Sequence, residues 1–487
     1  MSARQGVWLL GAAASALLAL RVAALFISPL ELQFDEAQYW SWAQDPAWGY
    51  YSKPPLIAWT IAASTAVCGD GEGCVRLAAP LLHMATAVSV GLLVSSLGAR
   101  GFEAALAGFG YLILPGVALG SFVISTDTVL LPLWTLTLIA LWQWRRSGSA
   151  GWAVASGLGL GLGLLAKYAM IYLPLCTLVW LVIDPAARRA MLGFQGVAAA
   201  TLAALIVTPH LAWNASLGWP TMGHTVDNAN WQGQGGGILS ALEFLAGQAL
   251  VFGPLLIVAI IGALWVLVRR RMSIGGIGRD EANFLLVMAV PIILIVSAQA
   301  GISRAHANWA APAVIGLTAF AVPVLRKLAP RLLTAAIGLN AVLSLTLLIM
   351  VTVGPAPWLP TFTDAIMHRM SGQQALAGRL IGAVGTGDTP IVFDDRETLA
   401  AALYYMKQRD TDRFRMAHPA NEEPDDHYSL TRPFQGQAAR AILVARHPKS
   451  TRIAGYRRAR AFSTAVIPTV RGRNREISVF QLVRDGS

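Results

Sequence analysis

Two adjacent carboxylates, Asp35 and Glu36, stand among the aromatic residues Tyr39, Trp40, Trp42, Trp48, Tyr50 and Tyr51. Lys53 follows, directly before Pro54 and Pro55. A carboxylate can take the proton of an attacking hydroxyl, and an ammonium group can hold a phosphate. If residues 35–43 are helical, Asp35 and Tyr39 share a face, because positions four apart are neighbours, and Glu36 pairs with Trp40 on the adjacent line. The two prolines extend the backbone and fix Lys53 at the start of a short apolar stretch. Carboxylates beside a cation and an aromatic belt at a membrane surface suit a polar substrate carried on a lipid. A plainer reading makes Asp35 and Glu36 acidic residues at a helix N-terminus, and has Lys53 snorkel at the interface.

Further groups of this kind recur along the chain. Asp127 follows Ser125 and Thr126 where an apolar run begins, and it reads equally as an N-cap. Lys167 interrupts apolar sequence; an ionisable residue at membrane depth points to function, whereas a hairpin tip at the surface would not. Arg304, His306, Asn308 and Trp309 cluster between two apolar runs. His210, Trp213, Asn214, His224, Asp227, Asn228, Asn230 and Trp231 decorate another loop. Each histidine alone reads as loop polarity, but with tryptophans and amides the clusters resemble sugar-binding surface. Arg21 in the first apolar run is expected to snorkel, and His83 to be packed or hydrogen-bonded within a span.

The elements that must carry these groups are membrane helices. Of 487 residues, 55% are hydrophobic and 13% charged, with a mean hydropathy of +0.55. Soluble domains carry roughly a quarter charged residues. Apolar runs of spanning length lie near 7–30, 77–97, 102–124, 127–144, 191–213, 243–268, 282–300, 309–325 and 331–353. The stretch 151–183 fits a hairpin of two helices turning at Lys167 and Tyr168, for about eleven spans in all. Residues 54–68 are too short to cross and predict an interfacial or re-entrant helix. The N-terminal run is read as a retained anchor.

The net charge of +11 reflects membrane orientation, and nucleic acid is excluded as a partner. Arg4, Arg100, Arg145, Arg146, Arg188, Arg189, Arg269 to Arg271, Arg326 and Lys327 fall in alternate loops on one side, the cytoplasm by the positive-inside rule. Asp35, Glu36, Asp127, Lys167, Arg304 and the 214–240 loop then face outward. The fold class is mainly α: a polytopic membrane domain, 1–354, with a first outer loop at 31–75. A small outer α/β domain, 355–487, follows, with strands near 389–393, 441–445 and 477–483 and a helix at 398–406. The glycine-rich segment 157–163 predicts close helix packing. Cys68 and Cys74 bracket a short outer loop, where a disulfide or two free thiols fit equally, and Cys176 is an apolar filler. No CxxC or HExxH spacing predicts a metal.

The run FDEAQYW at 34–40 followed by YYSKPPLIAW at 50–59 resembles the protein-mannosyltransferase-like family of GT-C glycosyltransferases. STDT at 125–128, LLAKY at 164–168 and RAHANW at 304–309 fit the same likeness, which extends to about residue 320. Bacterial members include aminoarabinose and galacturonate transferases acting on lipid A or lipopolysaccharide core. The resemblance implies a polyprenyl-phosphate-linked sugar as donor, a lipid or glycan acceptor, and work on the outer face of a bacterial inner membrane among its lipids. It implies Asp35 as general base, with Glu36 and Asp127 supporting geometry, and Lys53 on the lipid phosphate. Lys167 and Arg304 add cationic stabilisation of the leaving phosphate. Tyr39, Tyr50, Tyr51, His306, Asn308 and Trp309 are the expected substrate contacts. No metal or other cofactor is required, because phosphate leaves as an anion without a general acid. Gln38 and Ser52 depart from the aminoarabinose-transferase pattern, which has Arg and Glu there, and YYSKPP leans towards galacturonate. The alternatives are protein O-mannosylation, a lipid or sugar flippase, and a membrane scaffold with an outer binding domain; the absence of paired halves disfavours a transporter.

Overall fold

The computed structural model describes residues 2–99, 101–230, 236–270, 277–356, 363–385, 387–418, 422–446, 448–449 and 451–485. Arg100, Trp231 and Arg271 lie outside them. The chain is mainly helical and divides into two compact units, Met1–Phe26 with Lys53–Thr60 and Arg76–Ile349, and Ile27–Ser52 with Ile61–Val75 and Met350–Ser487.

In the first unit and its helical extensions, five helices among the described residues are long and apolar enough to cross a membrane: Ala3–Ile27, Glu72–Ser96, Phe194–Ser216, Arg279–Ile302 and Pro330–Val353. A sixth span arises if Ile238–Phe252 and Pro254–Trp265, bent by 111°, count as one. The bend has a local cause. Gly253 adopts a φ of +86°, Pro254 brings no N–H, and Asn340 Nδ2 donates to the freed Phe252 carbonyl at 2.9 Å. The predicted run 102–124 likewise breaks into Phe102–Leu112 and Pro115–Gly120. The stretch predicted as a hairpin forms two helices, Ala150–Ala166 and Tyr172–Ile183, joined through an extended Lys167 and a 3₁₀ turn at Tyr168–Ile171. The short apolar stretch forms the helix Leu56–Cys68.

Glycine sets the closest approaches, as the 157–163 segment predicts. A Cβ on Gly157 would lie 2.5 Å from the Ala199 carbonyl oxygen, and one on Gly159 would lie 2.1 Å from Thr137 Oγ1. Alanine is intrinsically favoured over glycine inside a helix by about 1 kcal/mol, so a loss on substitution isolates packing. Gly157→Ala is expected to lower stability in detergent by about 1–3 kcal/mol. Gly151→Ala, on the same helix with nothing nearer than Ser149 Oγ at 3.6 Å, should leave stability equal or higher. Thermal melts of the two variants check the opposite signs.

Arg21 corrects the snorkelling expectation. It is 1% exposed, donating from Nη1 to Ser121 Oγ at 3.0 Å and from Nη2 to the Leu112 carbonyl at 2.9 Å and Ser344 Oγ at 3.1 Å. Leu112 ends its helix, where carbonyls lack helical partners, and a guanidinium has donors enough for all three acceptors. His83 meets its expectation, Nδ1 lying 2.9 Å from the Tyr111 hydroxyl.

The second unit joins first-loop residues to the C-terminal residues, whereas the sequence reading set its boundary after residue 354. The helix Phe34–Ala43 packs on the helix Arg396–Tyr405. Asp70 accepts from Trp40 Nε1 at 2.8 Å, and its carbonyl accepts from the Tyr404 hydroxyl at 2.8 Å. The Tyr405 hydroxyl donates to Glu72 at 2.5 Å and accepts from the Leu32 N–H at 2.8 Å. Cys68 and Cys74 form a disulfide, which closes the loop bearing Asp70 and Glu72. Glu31 accepts the N–H groups of Gln373 and Gln374, the first two residues of the helix Gln373–Val384, where negative charge is favoured.

Five strands form one sheet: β1 Ile391–Phe393, β2 Phe414–Met416, β3 Arg440–Ala445, β4 Tyr456–Pro468 and β5 Asn474–Arg484. The order is β2-β1-β3-β5-β4, with β1 parallel to β2 and β3, and β5 antiparallel to β3 and β4. Val392, Ala441, Leu443, Ala445 and Leu482 make its core. β1, β3, β5 and the helix after β1 match the predicted segments. β2 and β4 lack the apolar signal because β2 is three residues long and β4 is an exposed, arginine-bearing edge. Edge charge of that kind blocks unwanted strand pairing.

Candidate active site

Within the first unit the polar groups converge on Asp127. The helix Thr126–Ser147 is capped by Ser125, whose hydroxyl accepts from the Thr128 N–H, so the cap role weighed for Asp127 falls to Ser125. Asp127 Oδ1 accepts from Lys167 Nζ at 2.7 Å, and Oδ2 accepts from Asn308 Nδ2 at 2.9 Å. Lys167 reaches it because the helix before it stops at Ala166 and its own backbone is extended. The side chains of the pair are 18% and 13% exposed, a setting in which Coulomb attraction is stronger than in water. Each Asp127 oxygen thus accepts one side-chain donor. Lys167 keeps N–H donors for an anion.

The other first-unit candidates surround less. Arg304 is exposed and its Nη2 donates weakly to Asn228 Oδ1 at 3.4 Å. Trp309 and His306 meet edge-on at 5.5 Å between ring centres. Lys53 is half-buried just ahead of its two prolines. Two residues read as possible sugar contacts are instead internal: His210 and Asn214 are fully buried, with Nε2 of His210 2.6 Å from the Tyr168 hydroxyl and Asn214 Oδ1 accepting from the Thr221 N–H. Sequence grouped Asn308 with substrate contacts; its bond to Asp127 carried no signal, since 181 residues separate them.

Within the second unit, the adjacent carboxylates part in environment. Glu36 is wholly buried, and its Oε2 accepts the Gln33 N–H at 3.2 Å, closing the first turn of the helix Phe34–Ala43. Asp35 is only partly buried. Tyr39 and Tyr50, the expected substrate contacts, pack against Trp42. Tyr39 tilts onto Trp42 at 5.1 Å, and Tyr50 stacks on Trp42 at 4.6 Å and 4°. The Tyr50 hydroxyl donates to the Trp42 carbonyl and accepts from Ala47 N–H, both at 3.0 Å, and burial pushes its pKa up to about 12. Tyr51 stays half-buried. Among the described residues no three His, Cys, Asp or Glu side chains gather as a metal site.

His427 closes this aromatic cluster, its ring 5.2 Å from Trp42 and 5.6 Å from Tyr50. Burial lowers its pKa from 6.5 to about 3. The folded value lies below the unfolded one, so the unfolded chain binds the proton more readily. The associated stability is full above pH 6.5 and falls as pH drops towards 3. At pH 5 the loss is about 2 kcal/mol. His427→Phe should remove that part of the acid sensitivity, which urea titrations of both proteins at pH 7.5 and pH 5 measure.

Comparison with known proteins supplies the lineage. Residues 52–213 match the dolichyl-phosphate-mannose-protein mannosyltransferase family. The chain is 33% identical over 409 residues to the lipid A galacturonosyltransferase RgtD of Rhizobium johnstonii, covering 84% of each. It is 27% identical over 199 residues to the lipopolysaccharide core galacturonosyltransferase RgtA of the same organism, 40% of this chain and 39% of that one. Two crystal structures of ArnT from Cupriavidus metallidurans share the fold: the apo state, at a TM-score of 0.66 and 16% identity, and the complex with undecaprenyl phosphate, at 0.66 and 17%. Each alignment covers 99% of this chain and 98% of ArnT. With that identity to RgtD along most of both sequences, the chain belongs to the protein-mannosyltransferase-like family of GT-C membrane glycosyltransferases.

Proposed function

We propose that the protein transfers a sugar, favouring a uronic acid, from a polyprenyl-phosphate carrier to lipid A or a related lipopolysaccharide acceptor. The observation carrying this reading is the likeness to a lipid A galacturonosyltransferase along 84% of its length. ArnT, solved with undecaprenyl phosphate, supports a polyprenyl carrier. The arginine-bearing loops lie in the cytoplasm by the positive-inside rule, which puts the chemistry on the periplasmic face of a bacterial inner membrane.

The reaction needs one proton acceptor and stabilisation of one leaving anion. The acceptor hydroxyl oxygen attacks the anomeric carbon opposite the phosphate, and its proton passes to the Asp35 carboxylate. The carbon–oxygen bond to phosphate breaks, and its electron pair leaves on the phosphate. Attack from the opposite face inverts the anomeric configuration. Lys53, Lys167 and Arg304 are the cations assigned to the phosphate, whose growing charge they stabilise. Asp127 and Asn308 fix Lys167, while Tyr51, His306 and Trp309 are assigned to the sugar. Glu36 holds the first turn of the helix that carries Asp35. No metal enters this scheme.

The test is transfer by purified protein in lipid, given a panel of polyprenyl-phosphate sugars with lipid A-type and peptide acceptors and followed by mass spectrometry. Transfer of a uronic acid to a lipid A-type acceptor is the expected result. Transfer to peptide instead would make the protein an O-glycosylating enzyme, and movement of labelled lipid between leaflets without transfer would overturn the proposal.

A further inference from the structure

The turn that carries Asp35 is flanked by two arginines that form no ion pair among the described residues. Arg396 Cζ lies 5.3 Å from the centre of the Phe34 ring, and Arg369 Cζ lies 5.0 Å from the same ring. The two guanidiniums are therefore separated by no more than the sum of those distances. Arg396 Nη1 also donates to Gln38 Oε1 at 3.4 Å. Phe34 and Gln38 are four residues apart on one helix and share a face, so Arg396 runs along the stripe beside Asp35.

Neither arginine has a carboxylate partner among the described residues. The nearest acids in sequence are already taken: Arg446 Nη1 holds Asp395 at 3.2 Å and Glu397 at 2.6 Å. Asp426, which Arg396 influences only at longer range, is occupied by the N–H groups of Tyr428 and Ser429. A guanidinium offers five N–H donors in a fixed fork, and Arg396 uses one, at a distance where a hydrogen bond is weak. Both cations lie over the Phe34 ring, a contact with the ring face that uses none of their N–H donors. Two like charges near one ring cost free energy until an anion arrives.

We propose that Arg396 and Arg369 form an anion subsite beside Asp35, which binds a carboxylate or phosphate carried by one of the two substrates. This deepens the transferase reading and rests on it for the identity of the ligand. A uronosyl donor would present a carboxylate, and a phosphorylated lipid A acceptor a phosphate; both match the arginine fork.

Two measurements on the full-length protein in lipid nanodiscs test the subsite. The first is equilibrium binding, without turnover, of polyprenyl-phosphate galacturonate against polyprenyl-phosphate galactose, and of phosphorylated against dephosphorylated lipid A. The wild type should prefer the charged member of one pair, which names the source of the anion. Arg396→Gln and Arg369→Gln should each weaken that member about 10- to 100-fold and leave its neutral counterpart unchanged. Arg396→Lys should recover only part, because an ammonium lacks the fork. The second is KM and kcat for each substrate, where the change should fall on KM of the charged substrate alone. Equal weakening of charged and neutral ligands, or no change in either variant, overturns the subsite. Turnover without charge discrimination would sink the subsite and keep the transferase; charge-selective binding without any turnover would keep the subsite and sink the transferase.

Discussion

Asp35→Asn should fold like the parent and transfer sugar about 10²–10⁴-fold more slowly. Asparagine keeps the shape, fits the same helical position and cannot take a proton. The structure sharpens why Asp35 and not its neighbour is the residue to change. Glu36 is fully buried and its carboxylate closes the turn at Gln33, so Glu36→Gln should act mainly through stability. A matched pair of variants therefore separates chemistry from scaffolding: Asp35→Asn lowers kcat with an unchanged melting curve, and Glu36→Gln moves the melt. Near-normal turnover in Asp35→Asn would remove it as the base.

The second large effect is expected at Lys167. Lys167→Met deletes a donor assigned to the leaving phosphate and strands the Asp127 carboxylate, which keeps only Asn308. Turnover should fall about 10²–10³-fold, the scale of losing one preorganised stabiliser of transition-state charge. Asp127→Asn should cost less, because Lys167 keeps its charge and loses only its anchor. The double variant should be close to Lys167→Met alone, since residues acting as a unit are not additive. Strict additivity would mean that the pair is two separate contributions, and Asp127 would lose its positioning role. Measuring kcat for the two single variants and the double variant settles the order.

What the sequence could and could not disclose follows from the range of the interactions. Local chemistry was legible in part: apolar length marked helices and the paired carboxylates with Lys53-Pro54-Pro55 marked the family, whereas the breaks before Pro115 and at Gly253 fell inside runs read as single spans. The break at Lys167 was legible because a charge in apolar sequence tends to end a helix or be paired, and it does both. Arg21 was misread because snorkelling is the default for an arginine near a span's end; its three acceptors come from residues 91, 100 and 323 positions away. Sequence counts the aromatics Tyr39 and Tyr50 without their neighbours, so their packing on Trp42 was not legible. A ring stacked on Trp42 and a hydroxyl held by two backbone groups are facts of packing. The strand β4 escaped notice because an edge is recognised by pairing, and its arginines hide the alternation.

The contact between Glu31 and the start of the helix Gln373–Val384 spans 342 residues, and that interval is also a span of time. A ribosome adding roughly 5–20 residues per second makes Glu31, Asp35 and the Cys68–Cys74 loop long before their partners exist. For roughly twenty seconds to a minute the helix Phe34–Ala43 waits without its seat on Arg396–Tyr405. A fragment released early would carry the carboxylate but not the surface on which its helix packs.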